Sequence, residues 1–364
     1  MARIDDLFRY LKYHKGSDLH LRAALPPRIR VHGELVDVDG RGELAHEELM
    51  ELLREIVTDE QWDDYAGCGD LDFAYSLPGV ARFRVNFLRQ ETGAGAVFRI
   101  IPEKILTCEE LGLPRAVADL ADLRQGLVLI TGPTGSGKST TLAAIINRIN
   151  ETYVKHVVTI EDPVEFVHQN KLSVFSHREV GADTVSFGQA LRVAVRQDAD
   201  VILVGEMRDL ETIALAVTAA EMGALVFATL HTNSAAKTID RLVDAFPAEQ
   251  QAQIRVTLAE SITAIVSQLL LQTADGQGRV AAHEVLLKTP GLPNIIREGN
   301  TPMLLSIIQA GKSRGMCTMD DTLAALVEKG TVTARAAYMK AQDKARFAEM
   351  VKKKEGAAIS EDVA

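Results

Sequence analysis

Leu127-Val128-Leu129-Ile130-Thr131-Gly132-Pro133-Thr134-Gly135-Ser136-Gly137-Lys138-Ser139-Thr140-Thr141 is the stretch that decides the fold. It opens as a continuous apolar run and closes on residues that begin a helix, with GxxxxGK[ST] between them at Gly132 to Ser139. Glycines let the backbone curl so that its amides point at phosphate oxygens, and the helix that follows offers its positive N-terminal end. Lys138 is expected to bridge β- and γ-phosphates and the Ser139 hydroxyl to hold Mg²⁺. Gly132, Pro133, Thr134, Gly135, Ser136, Gly137, Lys138, Ser139 and Thr140 therefore read as a nucleotide-binding loop.

Working outward, three more short apolar runs, 157–160, 201–204 and 225–230, are separated by helical segments. Apolarity that is continuous rather than alternating means strands buried on both faces, hence a parallel sheet wrapped by helices. In such sheets ligands sit beyond the carboxyl ends of the strands. Each run ends in a polar cluster: Glu161-Asp162-Pro163-Val164-Glu165, Gly205-Glu206 and His231-Thr232. Singly, such residues are often solvated caps or satisfied structural groups; three on the edge that carries the phosphate loop point to chemistry. Hydrolysis needs a metal, an oriented water and neutralised transition-state charge. Glu206 is expected to act on the Mg²⁺ shell together with Ser139. Glu165 is the candidate to orient or deprotonate the attacking water, with Glu161 as the alternative. His231 would sense the γ-phosphate or fix a neighbouring carboxylate. A cation to meet phosphoryl charge is missing from this part of the chain, and Arg82, Arg84 and Arg99 could supply it, the alternative being ordinary surface arginines.

Those arginines belong to an earlier segment. Ile4, Leu7, Phe8 and Leu11 recur at helical spacing, and 18–22 and 28–32 alternate as strands do. A helix is expected over 45–65, then strands over 70–77, 80–89 and 96–100. In the second of these, Phe83, Val85 and Phe87 share one face and Arg82, Arg84 and Asn86 the other. Residues 1–101 thus form a small α+β domain. Residues 102–124 read as a linker, 125–345 as the α/β ATPase domain, almost wholly helical from about 240, and 346–364 as a solvated or disordered tail.

Composition narrows the function. With 40 Lys and Arg against 50 Asp and Glu, the chain of 364 residues carries a net charge of −10, which argues against nucleic acid as the main partner. Cys68, Cys108 and Cys317 are dispersed, giving neither a disulfide framework nor a zinc site and fitting a reducing cytoplasm. No run approaches the ~18 apolar residues of a membrane span, so direct membrane insertion is not expected. Arg3, Asp5, Asp6 and Arg9 interrupt the first helix, so no signal peptide is expected either.

Taken together, the motifs resemble those of the type II/type IV secretion ATPase superfamily, and most closely the type IV pilus retraction (twitching motility) ATPases. Gly132 to Ser139 resembles its Walker A, Thr159 to Phe166 its Asp box, Val201 to Asp209 its Walker B and Gly223 to Ala235 its His box. Arg82 to Asn86 and Gly93 to Arg99 resemble its arginine segments. The resemblance implies a PAS-like N-terminal domain, a RecA-like P-loop domain with a helical C-terminal region, and a homohexameric ring with ATP between domains and subunits. It implies that Arg84 and Arg99 reach phosphate from the other domain or subunit. It also implies a cytoplasmic motor, peripheral to the inner membrane through the pilus machine, that acts on an inner-membrane platform protein. Gly291 to Glu298 resembles the retraction signature AIRNLIRE, with Pro293 in place of its arginine. Ala224 replaces a first histidine of the His box, leaving His231 to carry it. Glu206 stands where Asp is common, so water-mediated reach to the metal is expected. The alternatives are an assembly or type II secretion ATPase of the same superfamily, which the absence of a tetracysteine insert disfavours, and more remotely a nucleic-acid translocase.

Overall fold

In the computed structural model, which describes residues 2–31, 33–102 and 104–355, the helical spacing near the start becomes α1 (Asp5–Tyr13), with Ile4, Leu7, Phe8 and Leu11 buried. The chain continues through β1 (Asp18–Arg22), β2 (Arg28–Val31), β3 (Glu34–Asp37), α2 (His46–Arg54), α3 (Asp59–Cys68), β4 (Asp70–Leu77), β5 (Ala81–Gln90) and β6 (Gly93–Ile101). The single helix expected over 45–65 is two, because Thr58 and Gln61 form a capping box that starts α3 anew. The strands form one antiparallel sheet in the order β3-β2-β1-β6-β5-β4. Alternation sends Phe83, Val85, Phe87, Ala96 and Phe98 into the core, where Phe8 stacks on Phe83 with ring centroids 4.3 Å apart. Burying each of the phenylalanine and valine side chains contributes on the order of 2 kcal/mol. The other face carries Asp18, Arg82, Arg84 and Arg99. This unit spans Met1–Ile105 and also takes in Asp162–Val167. In that segment Val164 and Phe166 are buried, and the Val164 carbonyl accepts a hydrogen bond from Arg82 Nε at 3.1 Å.

The second unit comprises Leu106–Glu161 and the chain from His168 onward. Its elements are α4 (Arg115–Ala118), β7 (Gly126–Thr131), α5 (Lys138–Thr152), β8 (His156–Glu161), β9 (Val174–Glu179), α6 (Phe187–Ala194), β10 (Val201–Val204), α7 (Leu210–Glu221), β11 (Leu225–Leu230), α8 (Ala235–Asp244), α9 (Ala248–Ser261), β12 (Ile262–Gln272) and β13 (Arg279–Leu287). Then come α10 (Leu292–Glu298), α11 (Leu304–Ala310), α12 (Met319–Glu328), α13 (Ala334–Lys340) and α14 (Lys344–Glu355). The sheet runs β13-β12-β7-β11-β10-β8-β9, parallel throughout except that β13 is antiparallel to β12. Every residue of β7, β10 and β11 is buried, the reason these runs lack alternation.

Two expectations are corrected here. The region after 240 is not almost wholly helical, since β12 and β13 extend the sheet beside β7. The apolar run Ile262 to Leu271 does not reveal its period, and a buried strand and a buried helix look alike in such a stretch. Most of residues 102–124, expected as a linker, packs into the second unit: Cys108, Val117 and Leu120 share a core with Ile145 and Ile149 of α5. The tail is ordered as far as α14, whose Phe347 and Val351 pack with Leu323 and Val327 of α12; residues 356–364, also expected to be disordered, lie outside the described residues. Among the described residues no helix is long and apolar enough to cross a membrane.

Candidate active site

β7 delivers the chain to its carboxyl end at Thr131, and Gly132, Gly135 and Gly137 then take φ of 147°, 78° and 86°, backbone that a side chain would strain. At Gly132 there is also no room: a Cβ would lie 2.2 Å from the Gln268 carbonyl oxygen and 2.6 Å from Ser136 Oγ. α5 starts at Lys138 with no side chain capping its N-terminus and no acidic residue in its first turn. No carboxylate of its own first turn therefore neutralises the positive N-terminal end of α5, and such an end favours an anion. Lys138, only 8% exposed, donates from Nζ to the carbonyls of Gly132 at 2.9 Å and Pro133 at 3.2 Å. The ammonium is thus tucked back across the mouth of its own loop. Ser136 Oγ is buried with no hydrogen-bond partner, a polar group of the kind a bound phosphate would satisfy. These residues fit a nucleotide phosphate chain.

Along the same edge, β8, β10 and β11 end at Glu161, Val204 and Leu230. Gly205 packs closely on Glu161, where an added Cβ would come within 3.2 Å of Glu161 Cα, and this contact places Glu206 at the strand end. Glu206 and His231 come together, with His231 Nε2 2.8 Å from Glu206 Oε1. Arg208, which the sequence reading did not single out, donates to Glu206 Oε2 at 2.7 Å. Burial opposes ionisation of Glu206, but the Arg208 hydrogen bond and the His231 and Arg208 charges outweigh it and hold the carboxyl below the ordinary range. Glu161 is buried, and Ser139 and Thr140 lie half-buried in the first turn of α5.

Glu165 belongs to the other unit, as do Arg84 and Arg99. Arg84 and Arg99 face each other in register across β5 and β6. Like charges so placed repel, and each has a carboxylate: Asp72 Oδ2 accepts from Arg84 at 2.8 Å and Asp18 Oδ1 from Arg99 at 2.7 Å. The Asp72 hydrogen bond raises the Arg84 pKa, burial opposes this, and the Asp72, Glu165 and Asp162 charges add to it. Arg84 and Glu165 are thus electrostatic neighbours. The predicted residues divide into the phosphate loop, Glu161, Glu206 and His231 in one unit, and Glu165, Arg84 and Arg99 in the other.

One further residue at the loop escaped the sequence reading. Gln268 of β12 is hydrogen-bonded to Ser136 and Thr141. The available signal was the polar pair Ser267-Gln268 inside an otherwise apolar run.

Comparison with known proteins shows the family. A sequence model of the type II/IV secretion system protein family matches residues 15–362. The chain is 51% identical to the type IV pilus retraction ATPase PilT of Pseudomonas aeruginosa over 339 residues, covering 93% of this chain and 98% of that one. It is also 51% identical to a twitching motility protein of Neisseria gonorrhoeae, over 87% of this chain and 84% of the relative. A crystal structure of the pilus retraction motor PilT with bound ADP superposes with a TM-score of 0.88 at 40% identity, over 95% of this chain and 98% of the other. This chain belongs to the type II/IV secretion system protein family, among its pilus retraction ATPases.

Proposed function

We propose that this protein is an ATP-hydrolysing motor that powers the retraction of type IV pili, working as a homohexamer in the cytoplasm against an inner-membrane pilus platform protein. The observation that carries the enzymatic part is the phosphate loop, with Lys138 folded across its mouth beside the orphaned Ser136 hydroxyl. The direction of work rests on the similarity to pilus retraction ATPases along almost the whole chain. MgATP supplies the phosphoryl bond whose cleavage drives the motor. Lys138 leaves the carbonyls of Gly132 and Pro133 to hold β- and γ-phosphate oxygens, while the loop amides and Thr140 line the phosphate chain. Ser139 and Glu206 hold the Mg²⁺ shell, and His231 fixes Glu206 through the 2.8 Å contact. Glu165 orients the attacking water and accepts its proton, with Glu161 as the alternative base.

Arg84 and Arg99 neutralise charge on the phosphoryl group, exchanging Asp72 and Asp18 for phosphate oxygens. Arg84→Ala is expected to leave nucleotide binding within about threefold and slow turnover roughly a hundredfold, since a transition-state donor is lost. A soluble, cooperatively melting Arg84→Ala protein with unchanged turnover would assign Arg84 to the surface of its sheet alone.

Surface pili counted after deletion of the gene test the direction of work. More pili per cell with retraction abolished is the expected result. Fewer pili, or none, would make the protein an assembly ATPase and reverse the reading.

A further inference from the structure

Gln268 sits where β12 passes the phosphate loop. Ser267, its neighbour, pairs in register with Thr131 at the end of β7, and their hydroxyls meet at 2.9 Å. Gln268 is therefore the first residue of β12 beyond the paired part of β7, and it is only 2% exposed. Its Nε2 donates to the Ser136 carbonyl at 2.6 Å, and its Oε1 accepts from Thr141 Oγ1 at 2.8 Å. The Ser136 carbonyl can only accept, so the orientation of the amide is fixed. One side chain thus bridges the residue two before Lys138 and the residue three after it. The strand is also why the loop tolerates no side chains at its two ends. A Cβ on Gly132 would strike the Gln268 carbonyl oxygen at 2.2 Å, and one on Gly137 would meet Gln268 Nε2 at 2.9 Å.

On its other side Gln268 pairs in register with His283 of β13. Burial pushes the His283 imidazole down to about 4, so it is neutral near pH 7. The His283 carbonyl accepts from Thr322 Oγ1 of α12 at 2.7 Å. A continuous hydrogen-bonded and strand-paired path therefore runs from the phosphate loop through Gln268 to the C-terminal helices.

We infer that Gln268 is a positioning residue for ATP hydrolysis, which clamps the crest of the phosphate loop to the first turn of α5 and so sets where Lys138 can reach. Gln268 touches the loop and not the reacting atoms. The inference rests on the nucleotide reading of that loop. A net hydrogen bond is worth roughly a kcal/mol, and leaving the buried Ser136 carbonyl without its donor adds to the loss.

The test uses the full-length chain, with ATP turnover, binding of a fluorescent ADP analogue and thermal melting measured together. Gln268→Met keeps the volume and removes both hydrogen bonds; it is expected to raise KM for ATP and Kd for the analogue about tenfold in protein that still melts cooperatively. Thr141→Val removes one bond only and is expected to give a rise of about threefold, with the double variant no worse than Gln268→Met alone, because the two residues act as one unit. KM and Kd within twofold of the unaltered protein in Thr141→Val, or in a folded Gln268→Met, would overturn the inference and make Gln268 a packing residue. Should Gln268→Met fail to fold, Thr141→Val decides alone. Lys138→Ala in the same assays separates the two failures: if it abolishes turnover while the Gln268 and Thr141 variants behave normally, the clamp is wrong and the nucleotide reading stands.

Discussion

Lys138→Ala is expected to lower ATP turnover by at least about a thousandfold, the scale of losing a charged donor to the phosphoryl group. Lys138 is the buried cation of the loop, anchored by the Gly132 and Pro133 carbonyls at 2.9 and 3.2 Å. Removing it leaves those carbonyls facing the phosphates, and carbonyl oxygens repel phosphate oxygens. Nucleotide affinity should fall together with turnover, which an equilibrium titration with a fluorescent ATP analogue reads directly. Turnover unaltered in folded Lys138→Ala would remove the phosphate-loop reading and, with it, the motor.

Glu206→Gln separates chemistry from binding. Glu206 accepts from Arg208 on one oxygen and meets His231 Nε2 on the other. A carboxylate only accepts, so it serves both donors; an amide of the same shape turns a donor toward one of them. The substitution also removes the negative charge assigned to the Mg²⁺ shell. Turnover is expected to fall by a factor of about a hundred to a thousand, while the fluorescent analogue still binds and the protein still assembles. Retained turnover within threefold would show that Glu206 only anchors Arg208 and His231. Loss of assembly together with turnover would shift the role of this carboxylate from catalysis to structure.

The resolution of the site by sequence follows from the range of the interactions. The phosphate loop was legible because everything it needs lies within eight consecutive residues: glycines for positive φ, a lysine, and a hydroxyl at the start of a helix. Glu206 and His231 were legible one by one, as polar residues ending apolar strands; that they touch each other follows from β10 and β11 being adjacent and parallel in register. Arg208 carries no such sign, because its place in the site rests on a side-chain hydrogen bond back to Glu206 that no local pattern marks. Similarly, the 3.6-residue and two-residue periods that identify α1 and β5 vanish in a strand covered on both sides, so the sequence of β12 does not distinguish strand from helix.

By itself the sequence determined the α/β fold class, the buried parallel strands of the second unit and the family, since each is written in contiguous residues or in their period. Tertiary structure decided what depends on residues distant in the chain. It assigned Asp162–Val167 to the N-terminal unit, gave Arg84 and Arg99 their carboxylates, and brought Gln268 to within hydrogen-bonding distance of a loop some 130 residues earlier, its bond to Ser136 spanning 132 positions. The physical reason is that backbone conformation is set by neighbours along the chain, whereas a buried polar group is satisfied by whatever partner the packed sheet brings beside it.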